Sequence, residues 1–215
     1  MDKATLIPMR ATDTHGLAEL LRAGRDLVAA TEPKTRAWYG LRSEHDPRDV
    51  GIFDTFAPGG REAHFAGQVA AALRDEAPRL VDGGWRAVLA SVDNYELLAA
   101  LERPGAAPPR KATLITLRAA EGQANALAGL LTGGRDVVAA TEPATLCWYA
   151  LQSEEDPRRF AIFDLFLDDT GRAAHFAGQV AAALRDQAAL VVEGGWERGV
   201  VANLRNYEVI ADKLG

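Results

Sequence analysis

HFAGQVAAALRD occupies residues 64–75 and returns without a change at 175–186. Outward from that dodecapeptide the match continues in both directions. DLVAATEP (26–33) returns as DVVAATEP (136–143), and Trp38-Tyr39 as Trp148-Tyr149. IFDTF (52–56) returns as IFDLF (162–166), GGW recurs at 83–85 and 194–196, NYE at 94–96 and 206–208, and KATLI at 3–7 and 111–115. The offset drifts only from 108 to 112 residues. Such a period is too long for a solenoid unit and fits one small domain. The chain therefore reads as two homologous repeats, 1–102 and 111–215, joined by RPGAAPPR (103–110). The prolines favour a stiff connector, reaching about 25 Å at ~3 Å per residue.

Composition sets the class. Hydrophobic residues make up 48% and charged residues 25% of the 215, as in globular chains. The net charge is −6, and no basic run or basic-aromatic stripe is present, which argues against a nucleic-acid partner. No apolar run is long enough to span a bilayer, so no membrane is expected. MDKATLIPMR does not follow the charged-then-apolar pattern of a secretory signal, and Cys147 is the only cysteine. Both point to a cytoplasmic protein, with Cys147, opposite Ala37 in the first repeat, as a small apolar filler.

Periodicity places the elements. TLIPMR (5–10) reads as a strand; Leu17, Leu20, Leu21, Leu27 and Val28 then share one helical face ahead of Pro33. TRAWYGLRS (35–43) and VGIFDTF (50–56) read as strands joined by the turn EHDPRD. A second helix begins near Arg61 with Phe65, Val69 and Leu73 as its stripe, and GWRAVLASV (84–92) is expected to close the unit as a strand. The order βαββαβ is the ferredoxin-like arrangement, an α+β fold with both helices on one face of a four-stranded sheet. Its open face is buried most simply against the second repeat, giving an intramolecular dimeric α/β barrel. Further association is not demanded.

The order EP-x-T-x-x-W-Y-x-L, then DPR, IFD-x-F and AHF resembles the antibiotic biosynthesis monooxygenase superfamily, whose members form dimeric α+β barrels. The resemblance covers both repeats. Family members carry Tyr-Glu-x-Trp on the third strand, where this chain has Phe53-Asp54-Thr55-Phe56 and Phe163-Asp164-Leu165-Phe166. A His early in the second helix is kept as His64 and His175. The resemblance implies oxidation of an electron-rich aromatic of the quinol or anthrone type by O2, without flavin, haem or metal. The substrate must then supply the electrons, and the protein an aromatic pocket and a base near the acidic proton.

Two residue types compete for the base in each repeat. His64 and His175 titrate near neutrality; on a continuous helix they fall opposite the apolar stripe, which makes a boundary or surface histidine the plainer reading. Asp54 and Asp164 stand inside apolar strands, where a carboxylate is costly unless paired. They are either bases in a cavity or structural acids bonded to Arg or a backbone amide. Trp38, Tyr39 and Phe56, with Trp148, Tyr149 and Phe166, are the candidate substrate-binding aromatics, core packing being the simpler role for the Trp-Tyr pairs. Within each Trp-Tyr pair the side chains point to opposite faces of the strand. Asn94-Tyr95 and Asn206-Tyr207 lie past the expected last strand, where contact with the other repeat is anticipated. Glu32 and Glu142 are expected to face solvent or cap the first helix. No His, Cys or carboxylate cluster has ligand spacing, so no metal is anticipated, and the absence of any cofactor is what the resemblance implies.

The leading reading is a cofactor-independent monooxygenase whose partners are a small aromatic molecule and O2. The alternative is a non-catalytic or stress-associated barrel that binds a small hydrophobic ligand. Haem degradation ranks third, since relatives that degrade haem place Asn on the first strand and Trp on the third, which TLIPMR and IFDTF lack. Retention of His, Asp, Trp and Tyr in both repeats predicts two pockets, and the exchanges of Arg36 for Leu146, Gly40 for Ala150 and Thr55 for Leu165 predict that they differ in size and polarity.

Overall fold

The computed structural model describes residues 2–103, 105 and 107–214. Of the connector 103–110, Pro104 and Ala106 lie outside the described residues. The first repeat forms β1 (Lys3–Arg10), α1 (Thr14–Thr31), β2 (Thr35–Ser43), β3 (Asp49–Phe56), α2 (Gly60–Phe65), α3 (Gln68–Leu80), α4 (Gly84–Ser91) and β4 (Asp93–Glu102). The second forms β5 (Lys111–Arg118), α5 (Ala124–Thr141), β6 (Thr145–Ser153), β7 (Arg159–Phe166), α6 (Asp169–Phe176), α7 (Gln179–Val191) and β8 (Leu204–Leu214). Between α7 and β8 lie a π-helical turn, Trp196–Val200, and a 3₁₀ turn, Val201–Asn203. The strands hydrogen-bond in the order β1-β3-β2-β8-β5-β7-β6-β4 as a closed barrel. The α+β barrel expected from the duplication is what the chain forms.

Two compact units divide the chain, Met1–Tyr95 with Tyr207–Gly215, and Glu96–Asn206. Most of each repeat's last strand is thus grouped with the other repeat's unit. In the first unit, β1 and β2 flank β3 antiparallel, pairing Thr5 and Trp38 with Asp54. The second repeats this register, with Thr113 and Trp148 beside Asp164.

Strand alternation and helical period meet in one core per unit. In the first, Ile7, Trp38 and Ile52 of the sheet pack with Leu17, Leu21 and Val28 of α1, Val69 and Leu73 of α3, and Val88 of α4. In the second, Ile115, Trp148 and Ile162 pack with Leu127, Leu131, Val138, Leu184 and Val200. Burial of each such aliphatic side chain contributes about 1.5–3 kcal/mol. Cys147 is buried, at 2% exposure.

Two expectations are corrected. GWRAVLASV is not the closing strand: residues 84–91 are helical, and the strand follows at Asp93–Glu102. Trp85, Val88 and Val92 are spaced by three and four residues, a helical period that the segment's β-branched and aromatic content concealed. The second helix is also two helices, broken at Ala66-Gly67, where Gly67 adopts extended backbone (φ −85°, ψ −178°). That break resets the helical phase. His64, placed opposite the apolar stripe on a continuous helix, is buried at 3% exposure, whereas Phe65 is 39% exposed. His175 is buried in the same way after the break at Ala177-Gly178.

Candidate active site

Each unit assembles a buried Glu–His–Asp line from three elements. In the first, Glu32 follows α1, where Pro33 prevents the helix from continuing. Its backbone N–H caps the helix by donating to Val28, and its side chain turns inward. Glu32 Oε2 lies 2.6 Å from His64 Nδ1 and accepts from Thr35 Oγ1 at 2.9 Å. His64 Nε2 points the other way, 3.5 Å from Asp54 Oδ2. The second unit repeats the line: Glu142 Oε2 is 2.5 Å from His175 Nδ1, and His175 Nε2 is 3.6 Å from Asp164 Oδ2. Phe56 and Phe166 pack on the imidazoles, ring centroids 5.4 Å away in each case.

The line is electrostatically polarised. Burial pushes Asp54 and Asp164 up to about 7, the neighbouring imidazole only partly opposing it. Both oxygens of each aspartate are buried without a hydrogen-bond partner. Burial acts to lower His64, but the Glu32 hydrogen bond and the charges of Asp54 and Glu32 outweigh it and raise the imidazole. His175 is raised likewise, with Asp164 the foremost of its acidic neighbours. Burial acts to raise Glu32, and its contacts with His64, Thr35 and Lys213 leave it below its ordinary value. The imidazole is thus held by Glu at its Nδ1 side with its proton affinity raised, while the aspartate beyond Nε2 has a proton affinity suited to exchange near neutral pH.

Pocket access separates the two units. In the second, an apolar cavity holding about 610 Å³ of empty space, part of it open to solvent, reaches Asp164 and His175. Trp148, Ile162, Phe176, Leu184 and Trp196 are among its walls. In the first, about 420 Å³ lies over Trp38, Ile52, Val69 and Leu73, with neither Asp54 nor His64 in its lining. A separate cleft reaches His64 from the Glu32 side, bordered by Lys34, Thr35 and Gln68.

The aspartates and histidines named from sequence are brought together in both units. Trp38 and Trp148 line the cavities, while Tyr39 stacks on Phe53 (6.4 Å) and Tyr149 on Phe163 (6.3 Å), away from those linings. Phe56 and Phe166 support the histidines. Neither aspartate takes the Arg or backbone-amide bond of a structural acid. Asn94 and Asn206 accept hydrogen bonds from Thr5 and Thr113 of their own repeats, while Tyr207 pairs with Ser43 of the other repeat, the contact anticipated for that segment. Glu32 and Glu142 were expected to face solvent and instead hold the histidines. The available signal was E-P-x-T, kept in both repeats while the residue after proline changes from Lys34 to Ala144. The threonine of that motif bonds Glu32 in one unit and stands 3.3 Å from His175 Nδ1 in the other.

Solved structures with the same architecture include a protein from Lactobacillus acidophilus provisionally named a monooxygenase. It is 10% identical, with a TM-score of 0.81 over 99% of this chain and 96% of that one. This chain has the fold of the antibiotic biosynthesis monooxygenase-type barrels. A Fusobacterium nucleatum protein, also provisionally named a monooxygenase, matches with a TM-score of 0.82 at 10% identity, over 99% of this chain and 94% of that one. An anthrone oxidase-like protein matches with a TM-score of 0.57 at 13% identity, over 99% and 92%. No family model and no curated protein matches the chain. These likenesses establish the barrel fold, and the chemistry rests on the chain's own residues.

Proposed function

We propose that the protein is a cofactor-independent monooxygenase that oxidises an electron-rich aromatic of the quinol or anthrone type with O2. The observation that carries this reading is Asp164, a buried carboxyl raised to about 7 on the wall of an apolar pocket, with His175 behind it. A base with that proton affinity is well matched to a phenol or activated CH at neutral pH. The similarity to monooxygenase-named barrels and to an anthrone oxidase-like protein supports the same class.

For an anthrone-type CH2 the chemistry balances without another reductant. Asp164 accepts a proton, leaving a delocalised carbanion whose charge the imidazolium of His175 offsets. The carbanion passes one electron to O2, and the radical pair joins to form a C–O bond. The peroxide takes a proton, and loss of water, with the second hydrogen of the CH2, leaves C=O. One oxygen atom enters the product and the other leaves as water. The pocket's apolar walls strengthen the electrostatic stabilisation of the anion.

The test is oxygen uptake over hydroquinones, naphthohydroquinones and anthrones, with chelator present and no cofactor added. Uptake above the spontaneous rate that is lost in Asp164→Asn is the expected result. Tight binding without uptake across the panel would instead establish a binding protein.

A further inference from the structure

Six positions line the cavity in both units: Leu20 and Leu130, Leu21 and Leu131, Trp38 and Trp148, Ile52 and Ile162, Val69 and Val180, Leu73 and Leu184. Only the second cavity extends to the acid. One segment that lines the second cavity alone also differs in length between the repeats. Eight residues separate Trp85 from Asn94, and nine separate Trp196 from Asn206. In the first unit the shorter segment is a regular α-helix that buries Val88 and leaves Leu89 56% exposed. The extra residue in the second is absorbed by widening the turn: Trp196–Val200 winds as a π-helix and Val201–Asn203 as a 3₁₀ turn. Val200 is 1% exposed, as Val88 is in the first core, and Val201, like Leu89, stays exposed, at 44%.

Position 199 permits this. A Cβ on Gly199, inside the π-turn, would meet Glu193 O at 2.3 Å and Val192 Cγ1 at 2.7 Å. Only glycine lets the backbone sit so close. Trp196, Val200, Val201 and Leu204 become a continuous wall of the cavity that ends at Asp164. Arg185 lies over the Trp196 ring, 5.0 Å from its centroid, and holds the indole at that wall.

We propose that the second unit alone carries the ligand site, and that the inserted residue at the Trp196–Asn203 turn is its specificity determinant, selecting an apolar aromatic with a single acidic group. The first unit keeps the Glu–His–Asp line without a pocket that reaches its aspartate. This assignment rests on the functional reading above for the role of Asp164, but it concerns binding and is tested by binding.

The probe is 2-naphthol, an aromatic ring system with one acidic hydroxyl, titrated by fluorescence into the full chain. One site per chain is expected. Leu184→Trp, which fills the second cavity, should weaken binding at least tenfold, while Leu73→Trp at the equivalent position of the first unit should change it less than twofold. Val201→Phe and Leu89→Phe, at matched half-exposed positions, form a second pair with the same expectation and a milder packing change, and circular dichroism checks the fold of all four. Two sites per chain, equal losses in paired variants, loss confined to the first-unit variants, or no saturable binding would each overturn the proposal. Oxygen uptake that survives Leu184→Trp but not Leu73→Trp would overturn it while leaving the monooxygenase reading standing. Binding as expected without uptake would do the reverse.

Discussion

At the scale of single residues, the site is governed by what burial does to a carboxyl. Asp164 is pushed from 3.8 to about 7 by its burial, which the neighbouring His175 only partly opposes. If it is the base, uptake should fall about tenfold per pH unit below about 7 and level off above it. Asp164→Asn should cost about 10²–10⁴ in rate. The same shift acts on stability, and its sign is opposite to that of a salt-bridged acid. The folded state holds the proton more tightly than the unfolded chain, so the contribution is complete below about pH 4 and is lost as pH rises through about 7. For Asp54 and Asp164 it amounts to at most about 4 kcal/mol each. Thermal melts should therefore show the Asp54→Asn/Asp164→Asn double variant gaining on wild type between pH 5 and 8.5. Replacing Glu142 removes a hydrogen bond and a charge that raise His175. Imidazole ¹⁵N shifts in Glu142→Gln should accordingly report a histidine that loses its proton at lower pH.

At the scale of elements, two glycines decide whether the line assembles. Gly178 starts α7, and a Cβ there would lie 2.4 Å from Glu142 Oε1. Gly178→Ala should displace the glutamate from His175, giving the same histidine shift as Glu142→Gln, together with a fall in Tm. Gly199→Ala should expel the turn at Trp196–Val200 and weaken 2-naphthol binding, at a cost of about 1–3 kcal/mol for overpacking. These elements also mark where sequence reasoning reached its limit. The strands carrying Trp38 and Asp54 were legible from alternation alone, and the duplication confirmed each by repetition. The α2–α3 break was not, because Ala66-Gly67 is a tolerable pair inside a helix and only packing shows that the phase resets there. Residues 84–91 were misread because a short apolar segment fits both periods. Glu32 escaped because its backbone does cap a helix while its side chain serves another purpose.

At the scale of the whole molecule, duplication supplies an internal control. Two units of the same fold hold the same three charged groups, so the presence of the line alone does not distinguish them. Beside the cavity that reaches its acid, one extra residue of chain is taken up in the π-turn around Gly199. Among the described residues no helix is long and apolar enough to cross a membrane. The α+β barrel was legible from the repeat and the order of its elements, and unequal pockets were expected from the exchanges between the repeats, whereas the π-turn beside the second pocket is announced by no sequence period. The most direct measurement is a carboxyl ¹³C NMR titration of wild type against Asp164→Asn, assigning the resonance by its loss in the variant. A midpoint near 7 is the predicted result. A midpoint near 4 would mean that Asp164 is an ordinary ionised carboxylate, and the account of the pocket as a proton-accepting site would fail.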